Sequence, residues 1–126
     1  MIKFLLALFA VSLLIACGGS SEEKKEPPKT VDITKDPNYQ KGLELATKNQ
    51  CFTCHAVDTK INGPAYREVA DKYADYPDTI VSHLANKVIT GGSGVWGEVQ
   101  MTPHPNLNKE DAETLVRYVL LLKTKK

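Results

Sequence analysis

At 126 residues the chain has room for one small domain once its N-terminal stretch is set apart, and two would not fit. Its formal net charge of +1 comes from 16 basic and 15 acidic residues, which excludes the basic surplus of a nucleic-acid binder. Three cysteines cannot all pair as disulfides, so at least one needs another explanation.

Met1 to Ala16 carries an early positive charge, Lys3, and then an apolar run from Phe4 to Ala16 broken only by Ser12. That is the pattern of a signal peptide, 1–16, and it is short of the roughly 20 apolar residues that span a bilayer. The run closes on Leu14-Ile15-Ala16-Cys17, which resembles the lipobox of bacterial lipoproteins. The resemblance implies that Cys17 is lipidated, becomes the mature N-terminus and anchors the protein to a membrane on the extracytoplasmic side (periplasm or cell surface). Ordinary secretion with cleavage near Ala16 is the alternative. Residues 17–35 then form the lipidated cysteine and a disordered tether. From Gly18 to Lys35 only Val31 and Ile33 are apolar, so the segment cannot bury itself.

Residues 36–126 show helical spacing of apolar residues with almost no alternation of period two, so the domain is expected to be all-α, with about four helices and long loops. Asp36-Pro37 supplies a cap and a first-turn proline for a helix running to about Gln50. Gly63-Pro64 opens a second helix through Ala65, Val69 and Tyr73. Pro77 starts a third, in which Ile80, Leu84 and Val88 recur every fourth residue until Gly91-Gly92 stops it. Asn108 caps the last, with Glu110, Asp111 and Glu113 early and Lys123, Lys125 and Lys126 beyond its end, as the helix dipole favours. Leu115, Tyr118, Val119 and Leu122 form its apolar stripe, and Gly42 is the natural point for the first helix to cross it. So small a core for its surface calls for a staple or a cofactor.

Cys51-Phe52-Thr53-Cys54-His55 is the attachment pattern for haem c. Two thiols two residues apart reach the two vinyl groups as thioethers, and the adjacent His55 is carried under the iron as an axial ligand. A redox dithiol would want a βαβ setting, and a zinc site two further well-spaced ligands. Apart from Met1, Met101 is the one methionine. It lies in the proline-bearing stretch Gln100-Met101-Thr102-Pro103, where a core-filling role is hard to see, and is the leading candidate for the second axial position. His83 and His104 compete for it.

These residues belong to a larger resemblance. Cys51-Phe52-Thr53-Cys54-His55, the run from Asp58 to Tyr66, Gly94-Val95-Trp96-Gly97 and Met101-Thr102-Pro103 resemble the class I cytochromes c, particularly the small bacterial monohaem type, from Asp36 to the C-terminus. The resemblance implies the class I cytochrome c fold around one covalent haem c. It also implies that the Pro64 carbonyl accepts a hydrogen bond from the His55 ring, and that Trp96, with Lys87 as a weaker case, meets a haem propionate. Two positions depart from the family pattern. Ala46 stands where many members carry a large aromatic, and His104 where some place an asparagine that bonds the ligand sulfur.

A six-coordinate iron held by His55 and Met101 offers substrates no open position. The expected function is therefore single-electron transfer between redox partner proteins, such as a reductase or a terminal oxidase, at a membrane surface, rather than catalysis. A haem enzyme or gas sensor in which Met101 leaves the iron is the other reading.

Overall fold

The computed structural model describes residues 32–124. The signal peptide, Cys17 and nearly all of the tether lie outside that range. The first element in that range is a single 3-10 turn at Ile33–Lys35, with Asp32 as cap and Ile33 packed against the core.

Four helices follow: α1 (Pro37–Lys48), α2 (Tyr66–Lys72), α3 (Thr79–Thr90) and α4 (Lys109–Leu121). A short antiparallel hairpin, β1 (Gly92–Gly94) with β2 (Gly97–Met101), joins α3 to the last loop. The helices match the expectation in number and order, and the hairpin is an addition to it.

Local chemistry sets the helix ends. The Asp36 carboxylate accepts from the Asn38 N–H at 2.8 Å and Pro37 occupies the first turn, where its missing N–H costs nothing. Asn108 does the same for α4, accepting from the Asp111 N–H at 2.8 Å. α1 stops at Lys48, two residues short of the expected end. Asn49 caps it and Gln50 turns left-handed at φ 56°, which swings the chain into a 3-10 turn at Cys51–Thr53. α2 begins at Tyr66 rather than directly after Gly63-Pro64, with the Glu68 carboxylate accepting the Ala65 N–H at 2.9 Å. α3 starts at Thr79, two residues after Pro77, and ends where Gly91 takes φ 68°, a conformation a Cβ would disfavour.

α4 is the hub and packs on α1, α3 and α2. It buries Ala112, Leu115, Val116, Tyr118 and Val119. At its crossing with α1, a Cβ on Gly42 would run into the Cβ of Tyr118 and lie 2.9 Å from the Thr114 carbonyl, so glycine is what lets the two backbones approach. Ala46 is wholly buried. The aromatic partner expected there comes instead from Tyr39, one heptad earlier, whose ring meets Tyr118 edge-on at 5.4 Å. In α3 the fully buried line is Val81 and Ala85. Ile80, Leu84 and Val88 are only partly buried beside it, because the small side chains take the closest approach to the core.

Candidate functional site

The loop between α1 and α2 carries the cysteine pair. The 3-10 turn at Cys51–Thr53 leads into His55, whose N–H bonds back to the Cys51 carbonyl at 3.0 Å. The chain then loops out and returns, with the Gly63 N–H donating to the Cys54 carbonyl at 2.9 Å. The Tyr66 N–H reaches the Ala56 carbonyl at 2.9 Å, and the Arg67 N–H the Val57 carbonyl at 3.0 Å. Arg67 also holds the loop from outside, its guanidinium contacting the Asp58 carboxylate and the Leu122 carbonyl at the end of α4.

Within this frame the His55 ring has one nitrogen committed. Its Nδ1 lies 2.8 Å from the Pro64 carbonyl oxygen. A carbonyl can only accept, so Nδ1 bears the proton and Nε2 presents its lone pair. Gly63 leaves the space this needs, since a Cβ there would strike the ring at Cε1 and lie 2.8 Å from both nitrogens. Tyr66 stacks on the imidazole, centroids 5.2 Å apart and planes 17° apart. Cys51 is half-buried and Cys54 exposed, and neither is in a disulfide. Burial pushes the Cys51 thiol upward, partly offset by a hydrogen bond with Tyr66. Burial, with Cys51 alongside, likewise pushes the Tyr66 phenol far up.

Met101, Trp96 and Lys87 gather in a second group around the hairpin. Met101 closes β2, paired with Gly92, and is half-buried. The backbone after it is drawn onto the end of α3. The His104 N–H donates to the Ile89 carbonyl at 3.1 Å and a Cβ on Gly91 would sit 2.5 Å from the Met101 carbonyl oxygen. The Lys87 ammonium donates to the Ser93 carbonyl at 3.1 Å, a bond that steadies β1. Trp96, in the hairpin turn, is 37% exposed and lies under the Lys72 ammonium at 5.6 Å, a favourable cation–π distance. His83 is exposed on α3 and His104 half-buried. Three contributors were not legible as site residues in the sequence: Tyr66 against His55, Gly63 as a gap, and Lys72 over Trp96. Tyr66 and Gly63 fall inside the stretch that carries the resemblance, which gave no hint of their geometry.

The residues fit a covalent haem c. Two unbridged thiols stand beside an imidazole whose free nitrogen is Nε2. Apolar side chains are exposed in both flanking segments, with Ile61 49%, Val95 66% and Val99 63% exposed. The rivals do not fit. Among the described residues no group of three or more His, Cys, Asp or Glu is placed to hold a metal, and the two-stranded antiparallel sheet is no βαβ frame.

Comparison with known proteins gives the same direction. The family description "Cytochrome c" matches residues 39–123. Cytochrome c-552 of Nitrosomonas europaea is 45% identical over 84 residues, 67% of this chain and 81% of that protein. Cytochrome c-551 of Pseudomonas aeruginosa is 36% identical over 117 residues, 92% of each. Among solved structures, the wild-type Nitrosomonas europaea cytochrome c552 crystal structure superposes with a TM-score of 0.60 at 46% identity, covering 64% of this chain and 99% of that one. The class 1 cytochrome MtoD of Sideroxydans lithotrophicus aligns at 30% identity with a TM-score of 0.56, covering 66% and 94%.

Proposed function

We propose, from the premise that this chain belongs to the cytochrome c family, has the class I cytochrome c fold and has one covalent haem c as its cofactor, that it shuttles single electrons between extracytoplasmic redox proteins at a membrane surface. When bound, the haem supplies an iron that cycles between oxidation states one electron apart. Cys51 and Cys54 would hold it as thioethers, with His55 and Met101 as axial ligands and Trp96 and Lys87 towards its propionates.

The observation that carries the reading is the commitment of the His55 ring. With Nδ1 tied to the Pro64 carbonyl at 2.8 Å, the tautomer is fixed, one corner of the ring is held, and the electron density donated through Nε2 rises. Met101 offers a thioether, a donor that favours the reduced state and raises the potential. Two protein ligands leave no position for a substrate, which is why the protein carries electrons rather than catalysing. The N-terminal sequence supports a tethered carrier: a lipidated Cys17 followed by a polar linker would let the domain search a membrane surface for reductase and oxidase partners.

A haem stain that survives denaturing electrophoresis, together with a reversible one-electron potential and no carbon monoxide binding by the reduced native protein, is the expected result. Staining lost on denaturation refutes covalent attachment. Carbon monoxide binding refutes the carrier assignment in favour of a ligand-binding haem protein.

A further inference from the structure

We propose that Tyr66 is a positioning residue for His55, its ring bracing the imidazole and setting the plane in which Nε2 is presented. The inference rests on His55 being an axial ligand.

One hydrogen bond to the Pro64 carbonyl fixes a single corner of the imidazole and leaves its tilt open. The parallel stack with Tyr66, at 5.2 Å and 17°, removes that freedom. The brace is itself immobile. Tyr66 is 4% exposed, and its ring is met edge-on by Phe52 at 5.7 Å and by Tyr118 at 6.2 Å. Its backbone N–H is bonded to Ala56, the residue after His55, at 2.9 Å, so ring and imidazole are registered through the main chain as well. Gly63 completes the slot, because any Cβ there would press on Cε1 of the same ring. Supporting side chains of this kind determine how precisely a ligand is held.

The plane of an axial imidazole, together with the orientation of the sulfur ligand, sets the magnetic anisotropy of ferric low-spin iron and hence the spread and order of the haem methyl proton resonances, so a change in that plane alone shifts them. The test uses the full-length holoprotein. In the wild type, cross-relaxation between the Tyr66 and His55 ring protons is expected, and its absence overturns the inference. Tyr66→Leu removes the stack and should reorder or compress the methyl shifts, whereas Tyr66→Phe keeps the ring and should retain the wild-type order. Val119→Ala, a core truncation in α4, lowers stability but should leave the pattern alone, which separates positioning from packing. Should Tyr66→Leu not accumulate, Tyr66→Met, which also removes the stack, is read in the same way. An unchanged pattern in Tyr66→Leu, or in Tyr66→Met where that stands in for it, overturns the inference while leaving His55 as ligand. A wild-type ferric spectrum without nitrogen-ligated low-spin iron overturns the ligation itself.

Discussion

Gly42 and Tyr118 meet so closely that the helices carrying them cross almost backbone to backbone, with no room for a methyl group between them. Two effects of opposite sign therefore act on Gly42→Ala. Alanine gains about 1 kcal/mol of helix propensity, but the added methyl must displace the Tyr118 Cβ and the Thr114 carbonyl, an overpacking cost of about 1–3 kcal/mol, and more where backbone has to move. Net destabilisation is expected, seen as a lower denaturant midpoint with haem attachment intact. A midpoint equal to or above the wild type would show that the crossing has slack.

Met101 can be tested by changing what it donates. Met101→Ala should let the reduced protein bind carbon monoxide while the covalent haem remains. Met101→His should keep six-coordinate low-spin iron and lower the potential, within the range of roughly 0.8 V over which axial ligands tune haems. An unaltered spectrum and potential in Met101→Ala would remove Met101 from the iron.

The buried phenols predict an alkaline limit to stability. Burial raises both Tyr66 and Tyr118 above the ordinary value of 10.0. The unfolded chain releases these protons near pH 10 while the folded protein retains them, so above that point the unfolded state binds fewer protons and stability falls as pH rises. Their contribution is fully present below about pH 10 and is lost through the raised values above it. Denaturant midpoints should hold from neutral pH to about 10 and then drop. Tyr118→Phe should flatten that drop, and an equal drop in the variant would place its cause elsewhere.

Cys17→Ser should yield a protein that is still red but partitions into the aqueous phase, whereas the wild type should require detergent and carry a lipid mass at its N-terminus. Wild-type protein that is soluble without detergent would rule out the anchor.

The helices were legible because their apolar spacing and their caps agree: Asp36-Pro37 opens α1 and Asn108 opens α4 just where the sequence reads as a start. The hairpin was not. Its strands are three and five residues long, with hardly a buried position, so no alternation of burial is written into them. Their path depends instead on Gly92, Gly94 and Gly97 at φ 107°, 128° and 107°, and glycine in a sequence announces freedom without saying how it is used. The late start of α2 has a similar origin. Gly63 and Pro64, read as the opening of a helix, serve His55, one by lacking a side chain and the other through its carbonyl. The candidate attachment cysteines and both candidate axial ligands could be proposed from residue type and spacing. What could not be read were the neighbours that orient them, Tyr66 above all, because a stacking contact leaves no mark in a linear pattern.

The two candidate ligands stand on unequal ground. His55 sits in a loop laced to α2 and the core by main-chain hydrogen bonds and an aromatic brace. Met101 ends a glycine-rich hairpin whose main-chain hold on the rest of the protein is at the tip of α3. Segments with few buried contacts open at lower free energy than the body of a domain. On mild denaturation or warming, the hairpin should therefore open as its own unit, releasing the sulfur ligand while the helices and the His55 side remain folded. Such an intermediate would be a carrier turned briefly into a five-coordinate haem protein, and amide exchange in Gly97–Met101 would mark its population.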